Sequence, residues 1–531
     1  MGDFVQQFNL FNFDKENKVI TKPIRLIELF SGIGAQAKAL EKLGANFEHW
    51  KTCEWAVNSI KSYNAIHIKD FTDYSKDLTK EQLIEYLDGN ISTNYNEPCN
   101  VKRQSEKWLR DVYNNCIATH NLMNIMKVKG KDLEIVDVEK YEYIMTYSFP
   151  CQDLSLAGLR QGMGTSQADG GTRSGLLWEV ERILEELENK PQILLMENVP
   201  EVIGAGNVNH FNKWLAKLES LGYENYFQIL NAKDYQIPQN RRRCFMISIL
   251  GEYAYDFPLK HKAKYCLKDF LEKDVPEKYF LNTKDIERIS SWNAYEKPLE
   301  NVLDVEREEK VMPTLTASGA GEEHAGMKLI VFSKTDCDKK MSGVLPIMEN
   351  TKQGYKIARE GDDVNIGGRM KHHRGNVQKG SIQTLKAQME IGVVVQTKPK
   401  DDEYVGVYDY KESDTFRPTI EKRIHKNYPV SKTLTTRKDS CAVMLKTNGG
   451  GLSNLRIRKL VPIETMKLMG FERKDEQAMR EIGMSDAAIY HCSGDSIVTT
   501  CLMALFGQML PISENELQQK IENYVETLKE N

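Results

Sequence analysis

The sequence predicts an α/β chain: a nucleotide-binding domain on a mostly parallel sheet, interrupted by a second, β-rich domain. Three observations carry that reading. Residues 24–43 run strand, glycine turn, helix, which is the opening of a nucleotide-binding α/β unit. Short apolar runs at 141–147 and 191–200 read as buried strands, and each brings a reactive side chain to its C-terminal end, Cys151 and Glu197. From about residue 253 to 454 helical periodicity fades, Gly and Lys rise, and short strand candidates follow three Thr-Leu copies at 313–316, 383–386 and 432–435.

Composition bounds the function. A chain of 531 residues, 40% hydrophobic, can bury a large core in two or three domains. A net charge of −4 excludes a general polyanion sponge, so any nucleic-acid face must be a local basic patch. Ten scattered cysteines form no C-x-x-C pair, which argues against a zinc ribbon or a disulfide framework. With no secretory signal pattern and no apolar run long enough for a bilayer, a soluble protein of a reducing compartment is expected.

In chain order, residues 1–22 form a polar arm with one apolar cluster, Gln7-Phe8-Asn9-Leu10-Phe11. It resembles the Gln-x-x-Leu-Phe peptide by which bacterial proteins dock on the replication sliding clamp, but the motif is short and a terminal segment tucked against the domain is the favoured reading. In the turn Phe30-Ser31-Gly32-Ile33-Gly34, the glycines let backbone approach a ligand, but only two of the three dinucleotide-fingerprint glycines are clear, so NAD is not favoured. A second strand over 47–52 leads to Cys53-Glu54-Trp55, where a carboxylate can accept from ribose hydroxyls and an aromatic can lie against adenine. Residues 66–119 read as a charged, solvated excursion without identifiable chemistry, after which 118–125 returns to the sheet. Pro150 stiffens the turn that carries Cys151, where a thiol is placed for nucleophilic attack. The glycine-rich loop 160–173 fits a lid better than a phosphate cradle, because no strand feeds it and no Lys closes it. Residues 223–250 form a meander holding Gln239-Asn240-Arg241-Arg242-Arg243, and alternation puts Arg241 and Arg243 on one face. His372 and His373 sit on a basic loop and no metal is expected. A helix opens near Pro462, another runs to Phe506, and Ser513 with Glu516 makes a capping box for the last.

The ordered set Phe30 to Gly34, Phe149-Pro150-Cys151-Gln152, Glu197-Asn198-Val199, Gln239-x-Arg241-x-Arg243, Arg458 to Glu464 and Gly494-Asp495-Ser496 closely resembles the cytosine-5 DNA methyltransferases. The resemblance covers about residues 24–250 and 456–511. It implies a Rossmann-like class I methyltransferase domain with an inserted β-rich target-recognition domain. The expected boundaries are a 1–22 arm, a catalytic domain over 23–255, target recognition over 256–455, and completion of the catalytic domain over 456–531.

The resemblance also implies the chemistry. Cytosine C5 is a poor nucleophile; a thiolate bound at C6 makes C5 enamine-like, so it can take a methyl from a sulfonium. Cys151 is expected as that thiolate, Glu197 at the N3/N4 edge, Arg243 at O2, and Arg241 bracing the site. S-adenosylmethionine is expected over Phe30, Gly32, Ile33 and Gly34, with contacts from Glu54, Trp55, Asn124, Pro150, Asp495 and Ser496. The target base must leave the duplex. Double-stranded DNA is expected to meet Gln152, Ser155, Arg173 and Gln239, and phosphates to meet Lys371, Arg374 and Lys426. Arg437 is a candidate base reader. Asn124 stands where the family keeps an acidic residue, and Asp495 where it keeps Asn. A cytoplasmic monomer of a bacterial or phage-infected cell, in a modification system, is expected. A tRNA cytosine methyltransferase and a catalytically dead DNA-binding module are the rivals.

Overall fold

The computed structural model describes residues 15–149, 173–280 and 455–530, with short strands between 344 and 422. The chain divides into two compact units, one of residues 1–270, 384–388 and 462–531, the other of 271–383 and 389–461.

The first unit is built on a six-stranded sheet. Its strands are β1 (Ile24–Leu29), β2 (Phe47–Cys53), β3 (Glu142–Tyr147), β4 (Ile193–Asn198), β5 (Tyr223–Asn231), β6 (Gln239–Asn240, outside the sheet) and β7 (Arg242–Leu250). The order is β2-β1-β3-β4-β7-β5. The first four strands are parallel, and β7 runs antiparallel to both of its neighbours. Every residue of β1, β3 and β4 is buried, as central parallel strands covered on both faces require, which is why they read as apolar runs without alternation. The two charged side chains inside β1, Arg25 and Glu28, are paired. Arg25 bonds Glu48 at 3.1 Å and Tyr143 at 2.8 Å, with its guanidinium stacked 3.7 Å from Trp50 and 3.6 Å from Tyr141.

Helices α1 (Ala35–Leu43), α2 (Val57–Tyr63), α3 (Lys80–Leu87), α4 (Glu106–Ala118), α5 (Leu177–Glu186) and α6 (Val208–Ser220) alternate with the strands. The C-terminal segment adds α7 (Pro462–Lys467), α8 (Arg473–Glu481), α9 (Asp486–Asp495), α10 (Thr499–Gly507) and α11 (Glu514–Glu530). Helix α10 is buried throughout and packs on α1, so the end of the chain covers the sheet beside the first glycine turn. Ser513 Oγ accepts from the Glu516 N–H at 3.3 Å, which caps α11. Facing the main core, Trp214 of α6 reaches Tyr147 of β3 at 3.1 Å.

Two expectations change. Residues 66–119 are no solvated excursion: α3, α4 and the polar stretch after α3 pack with α2 on their own core of Ile60, Leu83, Leu87, Ile91, Leu109 and Cys116. Apolar residues at helical spacing are diluted there by a charged outer face, which hid the inner one. Residues 256–270, expected with the inserted domain, belong to the first unit. The His261 N–H bonds the Asp234 carbonyl at 2.9 Å, and Tyr265 donates to Glu526 at 2.7 Å. Of the N-terminal arm, residues 15–22 lie on this unit, with Lys15 2.6 Å from Glu224 and the Ile20 N–H on the Met509 carbonyl; Gln7 to Phe11 fall outside the described residues.

The second unit contains antiparallel strands. One sheet runs in the order Val377–Gln378, Asp363–Asn365, Ile391–Gln396, Leu455–Lys459, and Val344–Met348 pairs with Tyr355–Arg359. The strand expected at 392–395 is the third of that sheet. The Thr-Leu copies at 313–316 and 432–435 lie outside the described residues.

Candidate active site

The parallel strands all end on one edge of the sheet, and the candidate residues gather there, as ligand sites of open α/β sheets do. At the end of β1 the backbone turns sharply: Phe30 is left-handed at φ 58°, Gly32 at 54° and Gly34 at 77°. Gly34 has no room for a side chain, since an added Cβ would sit 2.7 Å from the Tyr63 ring and press on His67. Gly32, by contrast, faces open space, with nothing within 4 Å of an added Cβ.

Beneath this turn lies a buried polar chain. The Tyr63 hydroxyl donates to Glu28 of β1, His49 Nδ1 is 2.9 Å from the same hydroxyl, and His67 Nε2 is 2.9 Å from the Ile33 carbonyl. Burial pushes the Glu28 carboxyl up to about 7, against the hydrogen bonds from Tyr63 and the Ala37 N–H. Burial also holds His67 neutral, well below its ordinary range.

Past the end of β2, Glu54 binds the turn from the other side. Its carboxylate accepts from the Gly32 N–H at 3.0 Å and the Ala56 N–H at 2.8 Å. Burial raises its pKa, the backbone N–H donors oppose that, and the Asp495 carboxylate adds to it. Trp55 is half-buried beside it. Asn121, which sequence reasoning passed over, locks Glu54 in place: its Oδ1 accepts from the Glu54 N–H and its Nδ2 donates to the Glu54 carbonyl, both at 2.9 Å. Asn124 instead spends its amide on the Gly89 carbonyl at 2.9 Å and the Met126 N–H at 3.1 Å. Both asparagines lie in one polar segment, and spacing alone did not separate them.

Asp495, the last residue of α9, stands across from Glu54, with His491 Nδ1 at 3.0 Å from its carboxylate. Ser496 follows, buried.

On the other side of the edge, Glu197, next to last in β4, is almost fully buried, 3.0 Å from Arg243 Nε. Burial raises its pKa, while Arg243 and then Arg241 pull it down. The next residue, Asn198, donates to the Phe149 carbonyl at 3.1 Å. Arg241 is buried and donates to the carbonyls of Gly494 at 3.2 Å and Ser496 at 2.7 Å; Arg242 points to solvent and Arg243 is half-buried. Alternation along β7 explains that split.

Gln239 is fully buried and donates to the Leu468 carbonyl at 2.8 Å, so it clamps the segment after α7. Pro150, Cys151, Gln152, Ser155, Lys371, Arg374, Lys426 and Arg437 lie outside the described residues, as does the side chain of Arg173. Among the described residues no cluster of His, Cys, Asp or Glu could hold a metal, and no helix is long and apolar enough to cross a membrane.

A parallel-dominated sheet whose carboxyl edge gathers a glycine turn, a carboxylate bound to that turn and an Arg-paired glutamate fits a methyltransferase of the Rossmann-like class. The C-5 cytosine-specific DNA methylase family profile matches residues 93–510, and the chain belongs to that family. The enzyme is a DNA (cytosine-5) methyltransferase, and the family implies S-adenosylmethionine as methyl donor. The chain is 39% identical to the orphan methyltransferase M.SssI of Spiroplasma monobiae over 328 residues, 57% of this chain and 82% of that one. It is 38% identical to the type II methyltransferase M2.ScrFI of Lactococcus lactis subsp. cremoris over 268 residues, 50% of this chain and 71% of the relative. The orphan methyltransferase M.SPRI of Bacillus phage SPR matches at 24% over 519 residues, 92% of this chain and 97% of the relative.

Proposed function

We propose that Cys151 is the nucleophile and that Glu197, Arg243 and Arg241 form the pocket for a flipped-out cytosine. The Glu197–Arg243 pair at 3.0 Å carries this reading: a buried carboxylate whose proton affinity is raised by burial and lowered by two arginines is suited to a partly protonated ring edge. The Cys151 thiolate adds to C6, and Glu197 meets N3 and N4 as the ring takes up electron density. C5, made nucleophilic by that adduct, would take the methyl group that the donor supplies, after which a base removes the C5 proton and the thiolate leaves. Arg241, tied to the Gly494 and Ser496 carbonyls, holds the pocket wall.

The cofactor seat fits the family's methyl donor. Open space above Gly32 leaves room for a ligand over the turn, and Glu54 has the Asp495 carboxylate close enough to disfavour its charge. A ligand with a sulfonium and an ammonium relieves that repulsion. When bound, S-adenosylmethionine supplies a methyl group on electrophilic sulfur. Phe30, Ile33, Trp55 and Ser496 would line the same seat, with Asn121 in the role expected of Asn124.

DNA readout is assigned to residues 256–455, chiefly the second unit, with Lys371, Arg374 and Lys426 on phosphates and Arg437 on a base; Gln152, Ser155 and Arg173 meet the DNA near the nucleophile. We read the chain as a cytoplasmic monomer of a modification system, with or without a restriction partner, and keep Gln7 to Phe11 as a candidate clamp contact. The deciding test is DNA carrying 5-fluorocytosine at the target: fluorine blocks elimination, so the wild type should form a denaturation-resistant adduct and Cys151→Ser none. Labelled methyl transfer to tRNA but not to DNA would overturn the substrate assignment.

A further inference from the structure

The stretch 90–100 looked chemically silent, yet it carries a tyrosine to the edge of the cofactor seat. Tyr95 has a left-handed backbone, φ 66°, which a bulky residue adopts only when its surroundings impose it. The surroundings do so. Asn94 Oδ1 accepts from the N–H groups of Asn96 at 3.0 Å and Glu97 at 3.1 Å, its Nδ2 donates to Glu97 at 2.9 Å, and Ser92 Oγ donates to the Glu97 carbonyl at 2.7 Å.

This rigid turn joins two walls of the seat. On one side the Ser92 N–H bonds the Trp55 carbonyl at 2.7 Å and the Ser92 carbonyl accepts from the Val57 N–H at 2.9 Å, so it is fastened directly behind Glu54 and Trp55. On the other side the Tyr95 ring stacks on His491 of α9, centroids 3.7 Å apart and planes within 10°. His491 in turn is 3.0 Å from Asp495, and both Glu54 and Asp495 lie within electrostatic reach of the Tyr95 hydroxyl.

We propose that Tyr95 and His491 are positioning residues of the cofactor site: the stacked pair holds the Asp495 carboxylate towards the methionine end of S-adenosylmethionine. The 92–97 turn then forms a third wall of the seat, and an insertion without catalytic residues becomes a determinant of cofactor affinity. This rests on the seat assigned above. It also gives the unusual Asp495 a partner, because a carboxylate in the family's Asn position needs a group to fix its direction.

Calorimetric titration of the full chain with S-adenosylmethionine tests the idea. Tyr95→Ala and His491→Ala should each weaken binding about fivefold, the scale of a lost aromatic pair. Tyr95→Phe, which keeps the stack, should restore the wild-type constant, and cofactor-free unfolding midpoints report whether each variant folds. If Tyr95→Ala does not fold, His491→Ala and Tyr95→Phe decide. Wild-type affinity in the alanine variants, or a Phe variant as weak as Ala, overturns the proposal. Glu54→Ala is the separate control: if it too binds normally, the seat itself is misplaced.

Discussion

Asn198 Nδ2 lies 3.1 Å from the carbonyl of Phe149, so the end of β4 holds the backbone immediately before Pro150 and Cys151. The contact is buried and ties the end of β4 to the residue two past β3, which makes it a fixed reference for the proposed nucleophile. Asn198→Ala should therefore misplace Cys151 with little change in fold. A misplacement of about 1 Å can cost on the order of a hundredfold in rate. Single-turnover methylation should show that loss, with cofactor affinity by calorimetry at its wild-type value; a wild-type rate would remove the positioning role.

Glu197→Gln keeps the shape of the pocket and removes the charge opposite Arg243. Loss of one preorganised electrostatic partner in a buried site is worth about a hundredfold or more in turnover. The expected outcome is slow methylation with retained base-flipped binding, read by fluorescence of 2-aminopurine at the target.

Glu54→Ala should weaken S-adenosylmethionine binding by roughly 1–3 kcal/mol, because hydroxyls are left unpaired in a buried seat. Asn121→Ala should weaken it as well, since Asn121 fixes the backbone of Glu54, whereas Asn124→Ala should leave cofactor binding at the wild-type level. Equal effects at 121 and 124 would contradict the hydrogen bonding of this segment.

The buried chain under the glycine turn predicts a pH dependence. Glu28 has its folded pKa raised to about 7 from 4.5, so the native state holds a proton that the unfolded chain releases. Its contribution is fully present below 4.5 and is lost as pH rises to about 7. His49, held neutral by burial with a pKa lowered to about 4 from 6.5, acts in the opposite sense: its contribution is lost as pH falls through that window. The difference between wild type and Glu28→Gln isolates the first effect. In urea unfolding, wild type should lose stability relative to the variant between pH 4.5 and 7, by at most about 1.4 kcal/mol per pH unit. A flat difference would mean that Glu28 is ionised in the fold throughout.

Much of the catalytic fold was legible because parallel strands are short, apolar and uninterrupted: β1, β3 and β4 lie within two residues of the runs that announced them. The glycine turn and Glu54 were legible for the same reason, since their chemistry is local. What stayed hidden depends on distant partners. Gln239 looked like a polar surface residue until Leu468, more than two hundred residues later, covered it. Tyr95 gave only the weak hint of an aromatic in an Asn-rich stretch, and its meaning lies in His491, on α9. The helical layer over 66–119 was misread because its charged face dominates the composition while its core is narrow.

The clasp between Arg241 and the carbonyls of Gly494 and Ser496 spans more than 250 positions. During synthesis Glu197, Arg241 and all of β7 leave the ribosome long before the residues that brace Arg241. The clasp therefore cannot form until α9 has emerged, and a chain that ends between residues 280 and 493 would hold Glu197, Arg241 and Arg243 without it. The bracing of Arg241 is thereby set by the order of translation: it forms only after residues 271–383 and 389–461 of the second unit have been made.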